Sequence, residues 1–457
     1  MNRYDRQLRL WGSAGQDLLS KAHICIIGPE NSLLQETIKN LVLVGISKFT
    51  WFKSNDAPAY SQNDLFYKDL IQDMVPLNPR GVSIIQESMF NIHEITQNNN
   101  FSISIVISET NIPEELLREL SSSELSPVIM SHTEGLYGYV YTKLFEPHWV
   151  IESRPDYEVP SLRLDSPWDE LREYMDTIRF ETLDEYSMAE LPYVVLLYKV
   201  LQHLHSSTQI DHKMIKDTLT NWYVSDINPK GTNDLNYDEA LRYAHVALPN
   251  ESYKVGLQKL IDFSQQDDND RSNQWRDNYN RQIVTLVHAL SIYLDSNCGD
   301  LMVNASIPDM ESSSKIFGEL QQVYRNKATR DLTEFSGVVH QLDESIPNDL
   351  ITSFSCNVKN IKRIEPTARP INDFLTDSKL TEPYPILSTL LKFQKHQQVE
   401  RTSDNKSFFL YESYPTTSFI GGLISQEVIK LITHQYIPIS NTLIYDGMHN
   451  NITSFKC

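Results

Sequence analysis

Two stretches of the sequence carry residue types suited to phosphate chemistry. One is Gly28-Pro29-Glu30-Asn31-Ser32-Leu33, which directly follows an apolar run. A loop that cradles ATP or a dinucleotide is built as Gly-x-Gly-x-x-Gly, because only glycines permit the tight turn, the close backbone approach and the close helix packing. Here only the first glycine is present. Pro29 offers no N–H, Glu30 puts a carboxylate where a polyphosphate would lie, and Leu33 fills the close-packing position. At the end of the next apolar run, where a ribose-binding carboxylate belongs, stand Trp51, Phe52 and Lys53, with Asp56 further on. Two independent parts of a nucleotide site are missing, so no cofactor is expected on this loop. The other stretch is Tyr4-Asp5-Arg6-Gln7-Leu8-Arg9-Leu10-Trp11-Gly12, dense in aromatic, acidic and guanidinium groups. On its residues alone it reads as a short amphipathic helix capping a domain, with Arg6 and Asp5 as surface ion partners.

Nucleophiles and metal ligands are poorly placed. Cys25, Cys298, Cys356 and Cys457 lie far apart with no paired spacing, so neither a disulfide framework nor a zinc site is indicated. Cys298 is flanked by Asp295 and Asp300, which oppose a thiolate, while Cys356 has no nearby histidine and Cys25 falls inside an apolar run. All four read as structural or incidental thiols. His203 and His205 sit two apart in a helical pattern, face different directions, and read as surface or interface histidines. No metal site is expected.

The elements that would position these residues alternate. Ala22 to Ile27 is a nearly continuous apolar run ending at Gly28, as a buried parallel strand would be. Ser32 with Gln35 forms a capping box, Leu34, Ile38, Leu41 and Val42 recur at helical spacing, and Gly45 closes the helix where a left-handed residue is favoured. Ile46 to Phe52 resumes as a strand, which completes a strand–helix–strand unit of the doubly wound kind. Strands at Ile103 to Ile107 and Pro127 to Met130, with a helix at Pro113 to Leu120 between them, continue the pattern. Near the other end, Thr417 to Thr433 carries Ile424, Val428, Leu431 and Ile432 on one helical face. Its Gly421-Gly422 pair lowers helix propensity, which close backbone contact would justify. A turn at Pro438 to Asn441 and a strand at Leu443 to Gly447 follow.

The opening nonapeptide, the degenerate glycine loop and the Thr417–Thr433 helix occur in the order in which they occur in the ubiquitin-like protein activating enzymes, and the chain resembles that family over most of its length. The resemblance implies an α/β, doubly wound, Rossmann-like adenylation-type domain. That domain is expected from residues 1–160 and 381–457, interrupted at 161–380 by a mainly helical insertion. Helical periods at Leu191 to Leu204, Tyr237 to Leu248 and Ile283 to Leu294 support the insertion, and Pro167, Pro192, Pro249, Pro308 and Pro347 punctuate it. Ile307 to Glu311 and Leu320 to Ala328 resemble the regulatory subunits of neddylation activating enzymes in particular. In such a heterodimer a catalytic subunit binds Mg-ATP, adenylates the C-terminal glycine of a ubiquitin-like protein and then captures it on its own cysteine. The resemblance therefore implies two partners, that catalytic subunit and the ubiquitin-like protein, and it makes Arg6 the catalytic candidate, acting in trans on the partner's ATP with Gln7 and Arg9 in support. Alternatives are the regulatory subunit of a sumoylation activating enzyme, an autonomous nucleotide-binding adenylating enzyme or oxidoreductase, and a pure scaffold.

Composition narrows the partners. Forty basic residues against sixty acidic ones in 457 give a formal charge of −20. That balance opposes contact with a phosphate backbone, so nucleic acid is not an expected partner. Neither a positively charged leader nor an apolar run near the ~20 residues needed to span a bilayer is evident, so no membrane is expected. A cytoplasmic or nuclear location, or both, is expected. The acidic run Asp267-Asp268-Asn269-Asp270 reads as a solvated loop.

Overall fold

The computed structural model describes residues 4–53, 69–88, 101–107, 126–154, 162–204, 210–223, 235–248, 253–265, 278–308, 311–367, 374, 384–394 and 413–456. The chain divides into two compact units, Met1–Ser153 with Lys362–Cys457, and Arg154–Ile361. The first unit begins α1 (Asp5–Lys21), β1 (His23–Gly28), α2 (Ser32–Leu43), β2 (Lys48–Lys53), α3 (Leu70–Met74), β3 (Ser83–Ser88), β4 (Ile103–Ile107), β5 (Val128–Glu134), β6 (Tyr137–Lys143) and β7 (His148–Val150). Every residue of β1 and β4 is buried, which is why both strands read as unbroken apolar runs rather than alternating ones. The cap of α2 falls one residue earlier than the capping box indicates: Asn31 is extended, and its side chain accepts from the Leu34 N–H at 2.9 Å. Ser32 is thereby the first helical residue, because its neighbour is an equally good cap. Gly45 closes the helix at φ +105°, as its type predicts. The helix expected at Pro113 to Leu120 lies outside the described residues.

The second unit is helical: α4 (Asp169–Thr177), α5 (Glu185–Ala189), α6 (Tyr193–Leu204), α7 (His212–Trp222), α8 (Leu235–Arg242), α9 (Lys254–Gln265), α10 (Asn278–Ser296), α11 (Ser314–Leu342) and α12 (Asn348–Asn357). Its core gathers Leu171 and Met175 of α4, Val194 to Leu197 of α6, and Leu320 and Tyr324 of α11. The helix expected over Tyr237 to Leu248 ends at Arg242 and tightens into one 3₁₀ turn over Ala244–Val246, where the Val246 N–H reaches Tyr243 O at 2.8 Å. Buried Asp331 is fully engaged: one oxygen accepts the Val303 N–H at 3.0 Å and the other meets Lys327 Nζ at 2.6 Å. The acidic run at Asp267 to Asp270 is outside the described residues.

The first unit resumes with β8 (Lys362–Ile364), α13 (Pro385–Gln394), α14 (Tyr414–Thr433), β9 (Thr442–Asp446) and β10 (Asn451–Phe455). β8 pairs antiparallel with β7, so the units part at 153/154 and 361/362 rather than at the expected 160/161 and 380/381. One eight-stranded sheet runs β10-β9-β6-β5-β4-β1-β2-β3. The segment β3-β2-β1-β4-β5 is parallel, and β6, β9 and β10 extend it antiparallel. Trp11, Leu19, Leu34, Ile38, Ile420 and Ile424 cover one face, while Leu387 and Leu390 of α13 pack with Cys25, Ile27 and Tyr141 on the other. The unit is thus an α/β sheet with helices on both faces, the doubly wound arrangement.

Gly421 and Gly422 separate cleanly. A Cβ at Gly421 would lie 3.1 Å from Glu36 Cβ and 3.3 Å from Thr37 N on α2, whereas one at Gly422 would meet nothing within 4 Å. Close helix contact therefore explains Gly421 alone. Gly422→Ala should raise the thermal midpoint, by about 0.5–1 kcal/mol of recovered helix propensity, whereas Gly421→Leu should lower it, by about 1–3 kcal/mol of overpacking; scanning calorimetry of both variants checks the contrast.

The burial of two histidines predicts a loss of stability in acid for the sheet unit. Burial, assisted by Lys48, moves His23 down from 6.5 to about 4. Burial, with His434 stacked on its ring at 4.6 Å, holds His148 well below 6.5. Both stay neutral in the fold but take up a proton on unfolding, so stability is full above pH 6.5 and falls as pH drops from there towards about 4. His148→Phe should flatten part of that decline, measured as urea midpoints between pH 7 and pH 5; an unchanged slope would assign the acid sensitivity to other groups.

Candidate functional site

The one surviving glycine of the phosphate loop has a structural reason to be there. Gly28 sits at φ +148°, and a Cβ on it would lie 2.1 Å from the carbonyl oxygen of Ile107 on β4. The Trp51 indole N–H donates to the Gly28 carbonyl at 3.0 Å, tying the end of β1 to β2. Parallel pairing sets Gly28 opposite Lys53, and from there Lys53 Nζ meets Glu30 Oε2 at 2.6 Å and lies 5.1 Å from the centre of the Trp51 ring. The Glu30–Lys53 pair is partly exposed, so its net contribution to stability is small, but its location matters. A carboxylate occupies the ground of a phosphate and already has its cation. At the start of α2, Asn31 takes up the Leu34 N–H, one of the donors that bind anions at a helix N-terminus, and Leu33 is fully buried. These residues do not fit a polyphosphate.

The N-terminal stretch is a helix tied to the sheet unit by several side chains. Tyr4 is buried, and its hydroxyl donates to Asn78 Oδ1 at 3.0 Å beneath the Arg80 guanidinium, which stands 5.8 Å from the ring centre. Gln7 Nε2 donates to Leu43 O at 3.2 Å. Trp11 Nε1 donates to Gln16 Oε1 at 3.1 Å, and Gln16 Nε2 to Val44 O at 2.8 Å. Gln435 Nε2, beyond α14, donates to the Trp11 carbonyl at 3.0 Å. At Gly12 the backbone leaves helical geometry, with φ +72° and ψ 178°, which breaks α1 just after the arm. Asp5 pairs with Arg9 at 3.1 Å rather than with Arg6, because four residues along a helix bring side chains together and one does not. Arg6 is exposed and, among the described residues, makes no hydrogen bond or ion pair. A fixed turn therefore presents an uncommitted guanidinium to solvent.

Among the described residues the remaining candidates do not assemble into a site. The Cys25 thiol is pushed up to about 12 by burial on β1. Cys298 and Cys356 are exposed in the helical unit, and Cys457 and Asp56 lie outside the described residues. His203 is exposed with its ring edge-on to Trp222 at 5.5 Å, and His205 is outside the described residues. Among the described residues no group of three or more His, Cys, Asp or Glu side chains is placed to hold a metal ion, and no helix is long and apolar enough to cross a membrane. Sequence reasoning missed the Glu30–Lys53 pair, although Lys53 ends β2 and Glu30 lies two residues beyond the end of the adjacent parallel strand β1. It also missed Asn78, which no local periodicity marks.

No protein-family model matches the chain. The chain is 31% identical over 476 aligned residues, spanning 100% of both sequences, to the NEDD8-activating enzyme E1 regulatory subunit of Saccharomyces cerevisiae. It is 26% identical to the NEDD8-activating enzyme E1 regulatory subunit AXR1 of Arabidopsis thaliana, over 99% of this chain and 96% of that one. Against the NEDD8-activating enzyme E1 regulatory subunit of Danio rerio the identity is 25%, over 99% and 98%. Likeness to solved structures of E. coli MccB with ATP covers 30% of this chain and 46% of that one, at 15% identity and a TM-score of 0.25, too slight to carry any conclusion. With a relative matched end to end at that identity, the chain belongs to the family of NEDD8-activating enzyme E1 regulatory subunits.

Proposed function

We propose that this chain is the catalytically incomplete half of a heterodimeric enzyme that activates a ubiquitin-like protein of the NEDD8 type. The observation that carries this reading is the end-to-end match to regulatory subunits, and none of the relatives compared above points to the sumoylation alternative. A regulatory subunit implies a catalytic one, which would hold Mg-ATP and the thioester cysteine. The loop geometry supports that division, since Glu30, Lys53 and Asn31 leave the site on this chain unfit for phosphates.

Arg6 is the residue we assign to the reaction. In adenylation a carboxylate oxygen attacks the α-phosphorus of ATP and pyrophosphate departs with its charge. A guanidinium stays protonated throughout and matches phosphate geometry with paired N–H donors. Arg6 is uncommitted within its own chain and sits on an anchored turn, and an arm with no nucleotide at home has only a partner's nucleotide to serve. Arg6→Ala in the assembled heterodimer should slow ATP–pyrophosphate exchange on the order of 10²-fold while leaving the complex intact by size-exclusion chromatography. Exchange at the parental rate would reduce the chain to a scaffold. Titration calorimetry of the chain without its partner should register no binding of Mg-ATP, and a saturable signal would revive the autonomous adenylating enzyme.

A further inference from the structure

We infer that Tyr4 and Asn78 are positioning residues for Arg6, clamping the first turn of α1 so that the guanidinium is presented in one place. The inference rests on the role proposed for Arg6 above. Tyr4 is the residue at the start of α1, and its carbonyl accepts the first helical bond from the Leu8 N–H at 2.8 Å, yet its side chain caps no N–H of the helix. Tyrosine is not among the favoured capping types, and an uncapped first turn frays. Instead the phenol points inward to Asn78, a residue 74 positions away that is itself buried. Every polar atom of the Asn78 side chain is engaged. Its oxygen accepts from Tyr4 OH at 3.0 Å and from the Arg80 N–H at 3.0 Å, and its nitrogen donates to Ile46 O at 3.3 Å, just before β2. An amide held on three sides is a fixed post. The phenol hydroxyl has a single orientation in which to bond it.

The second hold is Gln7, whose amide reaches Leu43 O at the end of α2. Arg6 thus lies in sequence between two side chains that are hydrogen-bonded to the sheet unit, while its own side chain faces solvent. Anchoring the neighbours on either side fixes the Arg6 backbone before any partner is met, so less ordering remains for the reaction. Pre-paid orientation of this kind appears in the rate rather than in affinity.

A double-mutant cycle in the full heterodimer tests this, with Tyr4→Phe, Arg6→Ala and the double variant each co-expressed with the catalytic partner. Tyr4→Phe keeps the ring and its contact with Arg80 and removes only the hydroxyl, so the thermal midpoint and the elution position of the complex should stay close to the parent. At saturating ATP and ubiquitin-like protein, Tyr4→Phe should lower kcat for ATP–pyrophosphate exchange on the order of tenfold with KM for ATP unchanged. In the Arg6→Ala background the same change should have no further effect. Parental kcat for Tyr4→Phe alongside a slow Arg6→Ala overturns the clamp and leaves the role of Arg6 standing. Multiplicative losses in the double variant do the same. A parental rate for Arg6→Ala removes the proposed role and the clamp together.

Discussion

The sheet unit depends on one interaction, the seating of α14 on α2. The chain leaves this unit at Ser153, returns at Lys362, and must rebuild a single core from segments nearly four hundred residues apart. Gly421 lets the two helices approach until Glu36 Cβ lies 3.1 Å from where a side chain would start. The same contact is cross-linked by polar groups. Glu36, almost wholly buried, pairs with Lys39 and accepts from Tyr414 OH at 3.3 Å and Ser418 OH at 3.4 Å, so the charge is compensated from both helices. A buried carboxylate stripped of such partners would be strongly destabilising, which makes this seating specific as well as tight. At the far end of α14, Glu427 repeats the device with Lys430 and the Ile439 N–H, and burial raises its affinity for a proton.

Directly before α2 comes the loop that follows β1, and its own contacts make it a strut between strands and helix. Its residues serve the fold: Gly28 avoids the Ile107 carbonyl, Trp51 bonds the Gly28 carbonyl, Lys53 pairs with Glu30, and Asn31 takes a helix N–H. None of these contacts needs a ligand to be satisfied. These contacts are local, and the parallel order β3-β2-β1-β4-β5 around them is the one that positions nucleotides in doubly wound sheets.

How much of this was legible in the sequence follows from how each residue is held. β1, α2, β2 and α14 were readable because parallel strands buried on two faces become unbroken apolar runs and their covering helices keep a 3.6-residue period. The unit boundary at 361/362 was not, because β7 and β8 are three residues each and leave no periodicity to detect. The missing glycines were legible as a departure from a phosphate loop, yet the pairing of Glu30 with Lys53 depends on strand register, and register is a property of pairing rather than of either strand. Gly421 and Gly422 look alike in sequence, and only the neighbouring helix distinguishes them.

The arm shows the same limit from the functional side. Tyr4 to Gly12 was recognisable as a unit, but which of its residues face inward could not be read from composition. The structure sorts them: Tyr4, Gln7 and Trp11 are spent on anchoring, Asp5 and Arg9 on each other, and Leu10 and Arg6 remain outside. A helix that existed only to cap the domain would have no reason to hold an unpaired guanidinium between two anchors, because an exposed arginine at that place adds little stability. Anchored on both sides in sequence, Arg6 leaves its guanidinium facing solvent from a helix held to the sheet unit, which is the arrangement that the role proposed for it requires.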